Sequence, residues 1–248
     1  MTAQNERKAV DNNLEKVYGA TNTATLNAAY SGWADDYDTD VSSMGYRFPI
    51  LGAAILARHL LKNDASILDA GAGTGLVGGW LHDLGYTNIT ALDLSPEMLE
   101  KARLRNVYTQ LETGDLLKRL PFADDTFEAV IAVGVFTQGH VPSQGLDEIL
   151  RVAGSGAIMV VPLMENSWEQ LGFKEKAIAW EKAGKWKRIE QTPWCSPMPN
   201  SADHKMTWEQ SSPGVHVDSE FIQKISNRKL CQPKASKKNK VYPEGLRL

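Results

Sequence analysis

Cysteine is almost missing from this chain. Only Cys195 and Cys231 occur among 248 residues, at no spacing that would hold a metal ion or define a disulfide framework. Free thiols in a reducing compartment are therefore expected. His59, His82, His140, His204 and His216 are equally scattered and form no ligand pattern. Long hydrophobic runs are missing too: no stretch approaches the ~20 apolar residues that cross a bilayer. The opening MTAQNERKAV lacks the apolar core of a secretory signal. Nor is there a basic excess. The 27 Lys and Arg against 30 Asp and Glu give a net charge of −3 and a pI near 6.0, which argues against a protein built around a nucleic-acid backbone. The expectation is a cytoplasmic protein, with the nucleus left open, that binds neither membrane nor nucleic acid and works as a monomer.

Apolar residues, at 42%, suffice for the core of one α/β domain with extensions. Residues 49–62, PILGAAILARHLLK, read as a buried helix. Short apolar strands then alternate with helical patterns: strands at 66–70, 88–94, 108–115, 128–136 and 156–163, and a sixth at 185–191. Helices fall at 76–84, 95–105, 144–152 and 165–184. In the second of these Ser95 is placed to cap, Pro96 to start and Glu97 to face the helix dipole. This alternation predicts an α/β fold with a parallel sheet covered on both faces, and ligands outside the carboxyl ends of its strands. Residues 1–28 read as an N-terminal extension or cap, 29–210 as the domain. Residues 211–248, with seven lysines and arginines and no acid between Glu220 and Glu244, read as a disordered basic tail. It is either a solvated segment or an arm for an anionic partner.

ILDAGAGTG at 67–75 stops an apolar strand at an acid and then alternates glycine. Bare backbone at a strand end that opens a helix allows a ligand to approach closely, and the helix start favours a negative group on it. A dinucleotide site is one candidate, because Gly73, Gly75 and Gly78 fit Gly-x-Gly-x-x-Gly with Asp93 downstream. That frame starts two residues late relative to the strand end. A Walker A loop is excluded, since no Gly-Lys-Ser/Thr follows.

The run resembles the first motif of class I S-adenosylmethionine-dependent methyltransferases: strand, acid, then Gly-x-Gly-x-Gly. The resemblance implies a Rossmann-like, doubly wound, mostly parallel seven-stranded sheet with S-adenosylmethionine as cofactor. It implies that the loop of Gly71, Gly73 and Gly75 faces the amino-acid end of the cofactor, with Asp69 holding its ammonium group or ordering the loop. Asp93, followed by Leu94, would accept the ribose hydroxyls. Met98 would pack on the adenine, or serve as a plain core methionine. Asp115 would take the adenine amino group and Leu116 the ring. LPFADDTFEAVIA at 120–132 is similar to the segment leading into the family's fourth strand, with Glu128 where aspartate is usual. Gly134 would let the backbone approach the methionine end.

Upstream, YSGWADDYDTDV at 30–41 with Tyr46, Arg47 and Pro49 resembles the opening of the Williams–Beuren-region methyltransferase-like family. There the segment lids the cofactor and Tyr37 reaches its carboxylate; alternatively Trp33 and Tyr37 staple the N-terminal helix to the core. The resemblance spans about 27–165 closely and 166–194 loosely. Its seventh strand is best matched by HKMTWEQ at 204–210.

Methyl transfer needs a positioned nucleophile and, for oxygen or nitrogen, a base. His140, after strand four, is placed to be one, or to be a structural histidine. The stretch after strand four lacks the Asn/Asp-Pro-Pro-Tyr/Phe of amino-group methylases, and no Pro-Cys pair marks a cytosine methylase. A small-molecule substrate is expected, ahead of a protein side chain, in a pocket walled by Tyr30, Trp33, Phe136 and Trp168. The alternatives are a cofactor-binding protein without catalysis that acts through a partner, and an NAD-dependent oxidoreductase.

Overall fold

The computed structural model describes residues 12–137, 139–192, 195–201 and 217–224. Its centre is a seven-stranded sheet in the order β3-β2-β1-β4-β5-β7-β6. The strands are β1 (Ile67–Ala70), β2 (Ile89–Asp93), β3 (Gln110–Thr113), β4 (Phe127–Ile131), β5 (Ala153–Met164), β6 (Trp186–Gln191) and β7 (Val217–Lys224). The first five pair in parallel, and β7 runs antiparallel between β5 and β6. The order reverses between β1 and β4, which makes that crevice the place for a ligand.

Both faces of the sheet are buried, and the period of two sorts the strand residues between them. Ile67, Ile89, Ile131 and Val160 join one cluster, under α4 (Phe48–His59) and α5 (Leu76–Asp83). Leu68, Leu92, Val130 and Met159 join the other, under α7 (Gly145–Val152) and α9 (Phe173–Lys182). Glu128, the departure from the usual aspartate, accepts from the Ser66 amide at 3.0 Å and from Lys62 Nζ at 3.1 Å. α6 (Pro96–Leu104) starts as expected, with Ser95 Oγ accepting from the Met98 amide at 3.3 Å.

Two expectations change. The helix at 165–184 is two helices, α8 (Glu165–Gln170) and α9, because Gly172 adopts φ +77° and turns the chain between them. The seventh strand is Val217–Lys224, inside the stretch read as a tail; the 204–210 candidate lies outside the described residues. Its eight residues pair with β5 on one side and β6 on the other. Backbone bonds on both edges hold a segment too polar to be read as a buried strand.

Over the carboxyl ends of the strands lie helix α1 (12–18), α2 (Thr23–Ser31) and α3 (Tyr37–Ser43). They enclose a small core of Val17, Leu26, Trp33, Val41, Met44 and Met198. Among the described residues no helix is long and apolar enough to cross a membrane.

Candidate functional site

The loop after β1 uses its glycines for different reasons. A Cβ on Gly71 would lie 2.3 Å from Val135 Cγ2, and one on Gly75 would lie 2.9 Å from Arg105 Cδ. At Gly73 a Cβ would meet nothing within 4 Å. All three have positive φ. Gly71 and Gly75 thus fit the loop to its neighbours, while Gly73 leaves open space above the backbone.

That space belongs to a cavity of about 370 Å³ at the switch point, within the size range of small-molecule sites. Of the residues singled out in the sequence, Tyr37, Gly71, Gly73, Asp93, Leu94, Met98, Asp115, Leu116, Gly134 and His140 line it; Asp69 and Gly75 do not. The N-terminal segment, read as an extension or cap, reaches the cavity, since Ala20, Asn22, Leu26 and Asn27 also line it. Asp93 and Asp115 are the lining charges, and no lysine or arginine joins them among the described residues. The field in the cavity favours a cationic ligand.

The loop amides do not await an anion, as the glycine pattern suggested. Gly71 and Ala72 donate to the Leu92 carbonyl at 2.7 and 2.9 Å. Gly73 donates to Asp93 Oδ2 at 2.7 Å, and the Ser95 amide donates to Asp93 Oδ1 at 2.9 Å. Burial raises the pKa of Asp93, and the Ser95 and Gly73 amides partly offset that. The carboxylate therefore bridges the first loop to the second strand end while still facing the cavity.

Asp69 is fully buried beneath the loop. Its Oδ2 accepts from Tyr108 Oη at 2.7 Å, and the same hydroxyl accepts from the Gly78 amide at 3.2 Å, in the first turn of α5. Asp69 is thus tied through Tyr108 to the start of α5 and does not line the cavity. Its other oxygen, Oδ1, has no hydrogen-bond partner among the described residues. Burial pushes its pKa up to about 7, against the Tyr108 hydrogen bond. Tyr108 was not legible as a site residue: its only sequence signal is an aromatic two residues before β3, and its partner is 39 positions away.

The segment at 30–47 is latched to α6. Ser31 Oγ donates to Glu97 at 2.7 Å, Lys101 pairs with Asp35 at 2.6 Å, and Arg105 pairs with Asp38. Asp38 also accepts from Thr74 Oγ1 at 2.5 Å. Trp33, only 2% exposed, packs edge-on against Tyr37 at 4.9 Å and donates to Asp40 at 2.7 Å. Tyr37 lines this cavity, whereas Trp33 does not.

His140 stands at the far wall. Its Nε2 lies 2.8 Å from Tyr30 Oη and its Nδ1 2.8 Å from Thr137 Oγ1. Burial holds the Tyr30 hydroxyl well above its ordinary pKa, so it stays protonated and donates. Nε2 is then the acceptor, and in the neutral imidazole Nδ1 carries the proton and donates to Thr137. Behind this wall is a second cavity of about 60 Å³, which shares Tyr30, Tyr37, Gly134 and His140 with the first. Gly134 has φ +74°, and a Cβ there would lie 2.8 Å from Tyr46 Oη. Phe136 and Trp168, expected as pocket walls, line neither cavity. Phe136 is fully buried against Phe173 at 5.5 Å, and Trp168 packs under Arg188. A side chain just past a strand end can point inward as easily as toward the ligand.

Comparison with known proteins matches residues 68–161 to a family described as methyltransferase domain. The human methyltransferase-like protein 27 (Homo sapiens) is 36% identical over 171 residues, covering 66% of this chain and 69% of that protein. The chloroplastic 2-methyl-6-phytyl-1,4-hydroquinone methyltransferase 2 of Oryza sativa subsp. japonica is 30% identical over 151 residues, covering 55% of this chain but only 43% of the plant enzyme. The solved TehB-like methyltransferase of Corynebacterium glutamicum shares the fold, with a TM-score of 0.51 at 22% identity over 80% of this chain and 97% of that one.

Proposed function

We propose, from the premise that this chain belongs to the class I S-adenosylmethionine-dependent methyltransferases and uses S-adenosylmethionine as its cofactor, that it methylates an oxygen, nitrogen or sulfur nucleophile of a small molecule. The observation that carries this reading is the shared wall: Tyr30, Tyr37, Gly134 and His140 border both the large cavity and the small one. Group transfer requires two ligands to meet across one boundary.

The residues fit the cofactor. S-adenosylmethionine carries a net positive charge, and the described lining of the large cavity offers two carboxylates, Asp115 with Lys118 at 3.4 Å, and no lysine or arginine of its own. Asp93 would accept the ribose hydroxyls, and Asp115, Leu116 and Met98 would hold the adenine. Leu94, Tyr37, Gly134, Gly71 and Gly73 would border the rest, with Gly75 shaping the loop and Asp69 ordering it from below. The bound cofactor supplies an electrophilic methyl group on sulfur. What remains for the chain is to position the acceptor, exclude water and take up a proton.

His140 is the base of this reading. The acceptor's proton passes to the Tyr30 oxygen as the Tyr30 proton moves onto His140 Nε2, and Thr137 accepts from Nδ1 of the resulting imidazolium. A nucleic-acid substrate is disfavoured, because among the described residues no lysine or arginine lines either cavity to neutralise a phosphate.

Calorimetry with S-adenosylhomocysteine and NAD, followed by S-adenosylhomocysteine release over a panel of phenols, amines, thiols, peptides and RNA, tests the proposal. Binding of S-adenosylhomocysteine without NAD, and turnover of a small molecule, are expected. NAD binding alone would overturn the reading. Turnover confined to peptides or RNA would remove its small-molecule part, and binding without any turnover would favour a cofactor-binding protein.

A further inference from the structure

The small cavity has a composition of its own. Tyr18, Tyr30, Trp33, Tyr37, Tyr46 and Phe48 line it, together with Met164 and Met198. No aspartate, glutamate, lysine or arginine is among its described lining residues. Its polar groups are tyrosine hydroxyls, Thr137 and His140. On a scale where one water needs about 10–15 Å³, its 60 Å³ holds roughly four to six atoms' worth of ligand. That is the leading edge of one ring and no more.

We infer that this chamber is an acceptor subsite for an uncharged phenol-like ring, whose hydroxyl meets the Tyr30–His140 pair. The inference rests on the methyltransferase reading and deepens it. An ionised carboxylate in the chamber would lose its hydration and find no cation. A cation has a better case, since aromatic walls attract ammonium groups. Three features weigh against it. No carboxylate lines the chamber, the cofactor across the wall is itself cationic, and the ring faces are partly taken by neighbouring edges: Trp33 meets Tyr37 at 71° and Tyr30 meets Tyr37 at 59°. A neutral ring gains offset and edge-to-face contacts without these costs. A ligand hydroxyl can donate to the Tyr30 oxygen, whose own proton is already given to His140.

The test uses the full chain saturated with S-adenosylhomocysteine, with phenol, benzoate and benzylamine as the compounds titrated, read by NMR. Phenol should bind at least tenfold more tightly than the other two and show intermolecular Overhauser contacts to the Met164 and Met198 methyl groups. Tyr30→Phe keeps the ring and should weaken phenol by about 2- to 13-fold, the loss of one hydrogen bond, with both proteins compared at saturating S-adenosylhomocysteine. Benzylamine binding as tightly as phenol would make the chamber a cation cage and overturn the inference. So would phenol that fails to bind, or binds without contacts to those methyl groups, while the cofactor product binds normally. Failure of S-adenosylhomocysteine to bind would instead sink the methyltransferase reading, and the chamber's role with it.

Discussion

Replacing Asp93 by asparagine perturbs a group whose two oxygens are both engaged. Oδ2 accepts from Gly73 and Oδ1 from Ser95, at 2.7 and 2.9 Å. Asparagine keeps the shape but offers one acceptor, so its NH₂ must face one of these amides. One orphaned amide costs about 1–3 kcal/mol. For a chain of this size that lowers the melting temperature by about 2–12 °C, taking roughly 2–4 °C per kcal/mol. The fold does not stay untouched, as a purely ligand-facing acid would allow. Cofactor affinity falls as well, because a charged acceptor for the ribose hydroxyls becomes neutral. A loss of about 1.5–3 kcal/mol corresponds to roughly a 10- to 150-fold weaker S-adenosylhomocysteine Kd. Thermal melts without ligand and calorimetry well below the lower midpoint separate the two effects. An unchanged midpoint would mean that Asp93 does not hold the Gly73 amide in solution. An unchanged Kd would mean that it does not face the ribose.

Two further predictions concern the loop and the latch. Asp69 has a folded pKa of about 7 against roughly 3.9 for a free aspartate, so the folded state binds the extra proton. Its contribution to stability is fully present below about pH 4 and is lost as pH rises through 7. Asp69→Asn should therefore flatten the fall in melting temperature between pH 4 and 7, and an equally steep fall in the variant would refute the assignment. In hydrogen exchange, S-adenosylhomocysteine should slow residues 35–40, at the latch, and leave 48–59 unchanged. Because Trp33, Val41 and Met44 have a core of their own, the segment is partly protected before ligand arrives, and Asp38→Ala should raise exchange at 35–40 in the free protein. Indifference to both ligand and substitution would make the segment a fixed part of the core.

The parts legible in the sequence are those where one local signal suffices. Ala129–Ile131 and Ala157–Val161 read as strands because burial on both sides demands an unbroken apolar run. Ser95, Pro96 and Glu97 announced α6. The cavity residues at strand ends were legible because the fold puts ligands there. What stayed hidden depends on distant partners. Tyr108 acts on Asp69 and Gly78, and Arg105 on Thr74 and Asp38, and neither contact leaves a periodic trace. Phe136 and Trp168 failed for a related reason, since residue type does not say toward which side of a loop a ring turns. VDSEFIQK was hidden because its place comes from pairing on two edges and not from apolar content.

The position of that strand also dictates an order of assembly. The five strands from β3 to β5 can pair as soon as residue 164 has been made, but β6 has no neighbour until residues 217–224 arrive and slide between it and β5. A chain leaving the ribosome therefore carries an open β5 edge, twelve residues long, for at least the 52 residues between Met164 and Val217. At roughly 5–20 residues per second the exposure lasts about 3–10 seconds, long on the timescale of hairpin formation. Unpaired edges of that length recruit other strands. Truncation before residue 217 makes the condition permanent, and such a chain should appear in the insoluble fraction even though every residue lining the two cavities is present.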